Sequence, residues 1–172
     1  MKNYSLNLLF LLVLTAVSCV DSNPNKKIET EIQNENLVDK EDQNAIYPYG
    51  DEMYVPIYST IYSKNRDTQL LLTATLSIRN TSKKDSLFIN TIDYYNTEGT
   101  LVRNYINSPI FLKPLETIDY VIDEDDVEGG SGANFLIDWG ANNTMKPVFQ
   151  AVMIGMIGQH AFSFTTDGTT IK

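Results

Sequence analysis

Hydrophobic and polar positions divide the chain into three textures. Residues 8–14 read Leu-Leu-Phe-Leu-Leu-Val-Leu without a break, and Thr15-Ala16-Val17-Ser18 lead to Cys19. Residues 20–44 are rich in Asn, Glu, Asp, Lys and Gln and hold no aromatic residue. From Ile46 onward Tyr, Phe, Ile, Leu, Val and Thr dominate, and the period is two rather than 3.6. The first texture predicts a targeting segment, the second a solvated tether and the third an all-β domain. The expected division is 1–18, 19–45 and 46–172.

Within the third texture, Met53 to Tyr62 alternates, with Val55, Ile57 and Ile61 on one face and Tyr54, Tyr58 and Tyr62 on the other. Pro56 has no N–H to give a ladder, which predicts an edge strand. Leu70 to Arg79 is the cleanest strand: Leu72, Ala74, Leu76 and Ile78 point one way, Thr73, Thr75 and Ser77 the other. In Ser86 to Tyr95 the apolar phase slips between Ile89 and Ile92, which predicts a bulge near Asn90-Thr91. Asn96-Thr97-Glu98-Gly99 reads as a hairpin turn with Gly99 at positive φ. Further strands are expected at 100–106, 110–112, 117–122, 133–141, 148–155 and 161–165, with a terminal turn at Asp167-Gly168. Short strands separated by turn signals indicate a sandwich or barrel of about 7–9 antiparallel strands.

The apolar run behind Lys2 has the length of a signal-peptide core. About ten residues of helix rise only about 15 Å, half of a bilayer's hydrocarbon thickness. Ala16-Val17-Ser18-Cys19 resembles the lipobox of bacterial lipoproteins, although Ala16 stands where Leu is commonest. The resemblance implies diacylglycerol on the Cys19 sulfur, cleavage between Ser18 and Cys19, and acylation (palmitate) of the new amino terminus. Two or more acyl chains hold a protein stably on a membrane. Val20 after the cysteine favours the outer membrane by analogy with enterobacterial sorting. With the only cysteine acylated, no disulfide forms and the core must stabilise the domain alone. Residues 20–44 bury too little apolar surface to offset ordering entropy and are expected to be a disordered linker.

The chain has a formal charge of −9, which argues against nucleic acid and against adsorption on anionic lipid. Catalysis has little to work with: one histidine, His160, in an expected turn, and no nucleophile elbow. The chain is therefore not expected to be an enzyme, and no cofactor is expected. Asp123, Asp125, Asp126 and Glu128 crowd one loop beside Gly129-Gly130-Ser131-Gly132. Carboxylates at such spacing suit Ca²⁺, although a loop of acidic residues is ordinarily just solvated. The glycines are expected to let the backbone pass close beneath Trp139. Tyr54, Tyr58 and Tyr62 either line an aromatic binding face for a sugar or a protein, or belong to the core.

Leu76-Ser77-Ile78-Arg79-Asn80-Thr81, the hairpin from Ile92 to Val102 and the Leu112-Lys113-Pro114-Leu115 corner resemble, in that order, immunoglobulin-like bacterial surface domains. An immunoglobulin-like β-sandwich is thus the expected fold, with a jelly roll as the competitor. The chain also resembles a bacterial family, domain of unknown function 3124. The resemblance is carried by Tyr54-Val55-Pro56-Ile57-Tyr58-Ser59, Leu76 to Thr81, Asp93-Tyr94-Tyr95, Gly129 to Phe135 and Ala151-Val152-Met153-Ile154-Gly155. It implies an envelope location and no activity. The function expected is a non-catalytic interaction module, held on the membrane by its lipid and contacting an envelope protein. The alternative is binding of a small ligand, a glycan or Ca²⁺.

Overall fold

Alternation of this kind buries one face of each strand, so the strands must pair and stack two layers deep. The computed structural model describes residues 47–171. The signal, Cys19 and the linker to residue 45 lie outside the described residues. The strands are β1 (Tyr49–Pro56), β2 (Thr60–Ser63), β3 (Asn65–Arg79), β4 (Leu87–Tyr95), β5 (Leu101–Asn104) and β6 (Ile110–Leu112). They continue with β7 (Thr117–Ile122), β8 (Asn134–Ala141), β9 (Val148–Ile157), β10 (His160–Asp167) and β11 (Thr169–Thr170). One sheet has the order β11-β1-β8-β4-β5, with β6 also on β4; the other has β10-β9-β3-β2, with β7 also on β3. Every pairing is antiparallel.

The fold is the expected β-sandwich, with eleven strands among the described residues where about 7–9 were expected. Of the two extra strands, one is β11, beyond the predicted turn at Asp167-Gly168. The other arises because Met53 to Tyr62 is two strands in different sheets, not one. After Pro56 the chain leaves the first sheet and Thr60 begins the edge of the second. Its backbone stays bonded through the crossing: Ile57 N donates to Ala133 O, Ser59 N to Gly130 O, and Leu72 N to Ser59 O. The edge reading holds at Pro56 itself: β1 pairs along its whole length with β8, but β11 covers its other side only at Met53 and Tyr54. Ile57 N donates to Ala133 O on the β8 side, so the Pro56 nitrogen, which has no N–H to give, faces the side that β11 does not reach.

The pairings β3–β7 and β4–β8 are those of the inner strands of an immunoglobulin domain, and the outer strands differ. The first strand, β1, lies beside β8, and the C-terminal β9–β10 hairpin lies beside β3. The predicted bulge is present, as a register shift between Ile89 and Thr91. Gly99 has a φ of 76° in the predicted hairpin turn. Between the sheets lie Val55, Ile57, Leu72, Leu76, Ile78, Ile92, Phe135 and Ile137, all fully buried.

One end of the core is held by a polar residue. Asn80, buried at the end of β3, donates from Nδ2 to the carbonyls of Asp85 (2.8 Å), Leu112 (3.0 Å) and Lys113 (3.0 Å). Its Oδ1 accepts from Ser82 N at 2.9 Å. One side chain thereby ties the β3–β4 loop to the end of β6. Asn80→Ala should leave these groups without partners and cost about 2–3 kcal/mol of stability. The expected observation is a lower urea midpoint at unchanged slope; an unchanged midpoint would show that the loop finds other partners.

Candidate functional site

The register of β1 on β8 defines two poles. Tyr49 faces Ala141 at one, and Pro56 faces Asn134 at the other, with eight residues of strand, roughly 25 Å, between them. The described chain begins at the Tyr49 pole. The β4–β5 turn, the β7–β8 loop and the crossing from β1 to β2 converge at the Pro56 pole.

A clasp holds these segments together. The Ser59 and Tyr94 hydroxyls share a buried hydrogen bond of 2.8 Å. Gly129 lies directly against them: a Cβ there would collide with the Tyr94 hydroxyl and stand 2.7 Å from Ser59 Oγ. Thr97, in the hairpin turn, donates from N and from Oγ1 to Gly129 O, and its Oγ1 accepts from Gly132 N at 2.9 Å. Gly130, at a φ of 71°, opens a short 3₁₀ turn, Gly130–Gly132. The glycine run is thus a close-approach device, as expected, but beneath Tyr94 and Thr97 rather than Trp139. Trp139 lies toward the opposite pole, packed on Phe149 with ring centroids 6.1 Å apart.

The acidic loop is organised by a cation of the protein itself. Arg103 on β5 donates from Nη2 to Asp126 Oδ2 at 2.8 Å and from Nη1 to the Tyr105 hydroxyl at 3.1 Å. Asp126 Oδ1 also accepts from the backbone of Glu128. Asp123, Asp125 and Glu128 are exposed. Among the described residues no three His, Cys, Asp or Glu side chains converge on a common point. The grouping of Asp123, Asp125, Asp126 and Glu128 around Ca²⁺ is therefore not the arrangement the fold makes, because Asp126 turns toward Arg103. His160 is exposed at the start of β10, just past the turn predicted for it.

The three tyrosines do not form one face either. Tyr54 is on the outer side of β1, Tyr58 packs edge-on against Phe164 at 5.8 Å, and Tyr62 stands 55% exposed on β2 in the other sheet. The sheet crossing after Pro56 separates them. Tyr62 instead joins residues that alternation alone did not single out. Together with Leu71 (40% exposed) and Val127 (53% exposed) it lines a groove of about 440 Å³, closed by Gln69, Thr97 and Ser131. An apolar surface continues from Leu71 over the outer face of the second sheet. Ile154 and Val152 of β9 lie beside Thr73 and Thr75 of β3, with Val121 of β7 on the far side of Thr75. On β10 the facing residues are Ser163 and Thr165. None of these positions is charged. The signal was present in Leu70-Leu71-Leu72, since three consecutive leucines on a strand force one to the outside.

Tyr105, the partner of Arg103, packs on Tyr120 and Phe135. Burial pushes its phenol up to about 12, against the opposing pull of Arg103. Burial also raises Tyr94, against the hydrogen bond from Ser59. Both phenols are neutral in the fold and ionise more easily in the unfolded chain, at about pH 10. Their contribution is therefore complete below pH 10 and is lost as pH rises from 10 toward 12. Phenolate absorbance should show native tyrosines that resist ionisation until the domain unfolds in alkali, and Tyr105→Phe should flatten the fall in stability. Titration of every tyrosine near 10 in the folded protein would contradict this burial.

The comparisons with known proteins bear on the domain as a whole. The family described as a protein of unknown function (DUF3124) matches residues 50–171. No curated protein matches. Among solved structures the chain is similar to the crystal structure of Thermotoga maritima 1070, at 13% identity and a TM-score of 0.44. That match covers 71% of this chain and 95% of the other.

Proposed function

The chain belongs to the DUF3124 family of proteins of unknown function, and from that premise we propose that it is a lipid-anchored, non-catalytic interaction module of the bacterial cell envelope. The acylated Cys19 holds it on the membrane, in the outer membrane by the sorting argument. The linker extends it outward, and the sandwich presents the Tyr62–Leu71–Val127 groove to a protein partner. The observation that carries the reading is the position of this groove. It lies at the pole opposite the one where the described chain begins, which leaves it clear of the linker's point of entry and supports its being open to a partner.

The chemistry of the groove defines the partner. Exposed Tyr, Leu and Val around a recess suit an apolar side chain of another protein, since aromatic and apolar residues supply most interface energy. Asp123, Glu124, Asp125 and Glu128 are exposed on the loop that carries Val127. They favour a partner whose apolar knob is ringed by Lys or Arg, and they steer its approach. The overall charge of −9 acts in the same direction.

A photo-crosslinking residue at Leu71 or Val127 of the full chain, in intact envelopes, should yield a discrete adduct. The same residue at Leu115, exposed on the β6–β7 turn, should not. Leu71→Glu should weaken partner binding by roughly tenfold or more at an unchanged melting temperature. An adduct equally strong from Leu115, or none from either groove position, would remove the docking role. Independently, Cys19→Ser should move the chain from the membrane fraction to the soluble fraction. Retention on the membrane would remove the anchor from the reading.

A further inference from the structure

A sheet edge exposes a row of backbone N–H and C=O groups, and folded proteins blunt such edges with short strands, bulges, charges or proline. Most edges of this sandwich are blunted in that way. β2 and β5 have four residues each and a register shift in their pairing. β6 and β11 have three and two residues. β7 carries Asp119, and β1 beyond the reach of β11 carries Asp51, Glu52 and Pro56. β10 is the exception. It has eight residues, pairs with β9 without a register shift, and has no strand on its other side among the described residues. Between His160 and Asp167 it holds no charge and no proline.

The ladder fixes which backbone groups point outward. Gly168 N donates to Phe149 O, so every second residue before it, Thr166, Phe164 and Phe162, also turns its N–H and C=O toward β9. Ala161, Ser163 and Thr165 turn theirs away from the sheet, and their side chains are exposed. Phe162 and Phe164 are only partly buried against the core. Thr166 Oγ1 donates to Pro56 O, which holds the end of the strand in place. Outward donors and acceptors in this alternation match the backbone of another extended strand.

The order of residues along the edge selects the strand. Ala161-Phe162-Ser163-Phe164-Thr165 reads nearly alike in both directions about Ser163. Laid antiparallel on a second copy, it sets Ser163 against Ser163, Phe162 against Phe164 and Ala161 against Thr165. Cross-strand aromatic pairs of this kind are favourable, and the three outward residues of each copy form about six backbone hydrogen bonds. The two Asp167 carboxylates fall at opposite ends of the pair, so the charge of −9 on each chain does not oppose it locally. We propose that two copies of this chain pair through β10, antiparallel about a two-fold axis at Ser163, and join their β10-β9-β3-β2 sheets into one. Such a contact uses the same strand on both copies and closes on itself. The Tyr62–Leu71–Val127 groove lies at the β2 edge, the other side of that sheet, so the pairing leaves it open and does not rest on the interaction reading.

The full chain carrying Cys19→Ser has no other thiol, so a cysteine placed on β10 reports on this contact alone. Ser163→Cys in that background should oxidise to a reducible band at twice the mass of the chain. Thr165→Cys, equally exposed but roughly 13 Å from its counterpart across the axis, should give roughly tenfold less. By sedimentation the parent chain should be a dimer. Ser163→Lys sets two ammonium groups face to face at the axis on an exposed position, and should raise the dimer dissociation constant by roughly tenfold or more with the strand signal in circular dichroism unchanged. A parent chain that sediments as a monomer, a band equally strong from Thr165→Cys, or a dimer untouched by Ser163→Lys would each overturn the pairing. A photo-crosslinking residue at Ser163 that, in intact envelopes, yields an adduct with another protein in place of the doubled mass would assign the edge to a different strand and overturn it as well.

Discussion

The structure depends on the passage of the chain from one sheet to the other at Ile57–Ser59. A crossing of this kind takes backbone polar groups out of a ladder and into the interior, where each must find a partner. Here they do. Ile57 and Ser59 donate to Ala133 and Gly130, and Ser59 accepts from Leu72. The Ser59 side chain then reaches Tyr94 in the opposite layer. One short segment thereby joins β1, the glycine loop before β8, and β3 to β4. Gly129 fits because no Cβ is tolerated against Tyr94 and Ser59. Residues distant in sequence are bound into one pole of the sandwich by three consecutive residues and a hydroxyl pair.

That crossing also accounts for the arrangement of strands. Because the chain passes into the second sheet after Pro56, β1 remains beside β8 and β2 takes the edge of β3 below β7. The C-terminal hairpin β9–β10 then fills the other side of β3. The inner pairings β3–β7 and β4–β8 are those of immunoglobulin domains, with the terminal strands exchanged between layers. A consequence is the separation of the two ends. The chain arrives at one pole, and the loops with exposed Tyr62, Leu71 and Val127 gather at the other.

The electrostatics follow the same logic of local satisfaction. A loop with five acidic residues is held by Arg103, which spans Asp126 and the Tyr105 hydroxyl. The Arg103 side chain is 42% exposed, so the pair adds little to stability by itself. Its effect is positional: it draws the loop over β5 and sets Val127 at the rim of the groove. The remaining carboxylates stay in water, where they give the rim its negative character.

Strand positions, the bulge at Asn90-Thr91, the turn at Gly99 and the β-sandwich class were legible in the sequence, because alternation and turn chemistry are local and each residue reports its own face. The expected boundaries at residues 18 and 45 and the lipobox-like run ending at Cys19 were read in the same local way; both boundaries and Cys19 lie outside the described residues. Tertiary structure alone decided which strands became neighbours. Tyr54, Tyr58 and Tyr62 alternate perfectly along the chain, yet the crossing after Pro56 sends them to different surfaces. Asp126 sits among carboxylates in sequence and beside Arg103 in space. The glycines pass beneath Tyr94 and not Trp139, and Leu71 meets Val127 across more than fifty residues of chain. Such contacts arise from the packing of two layers, and no local period along the chain carries that information.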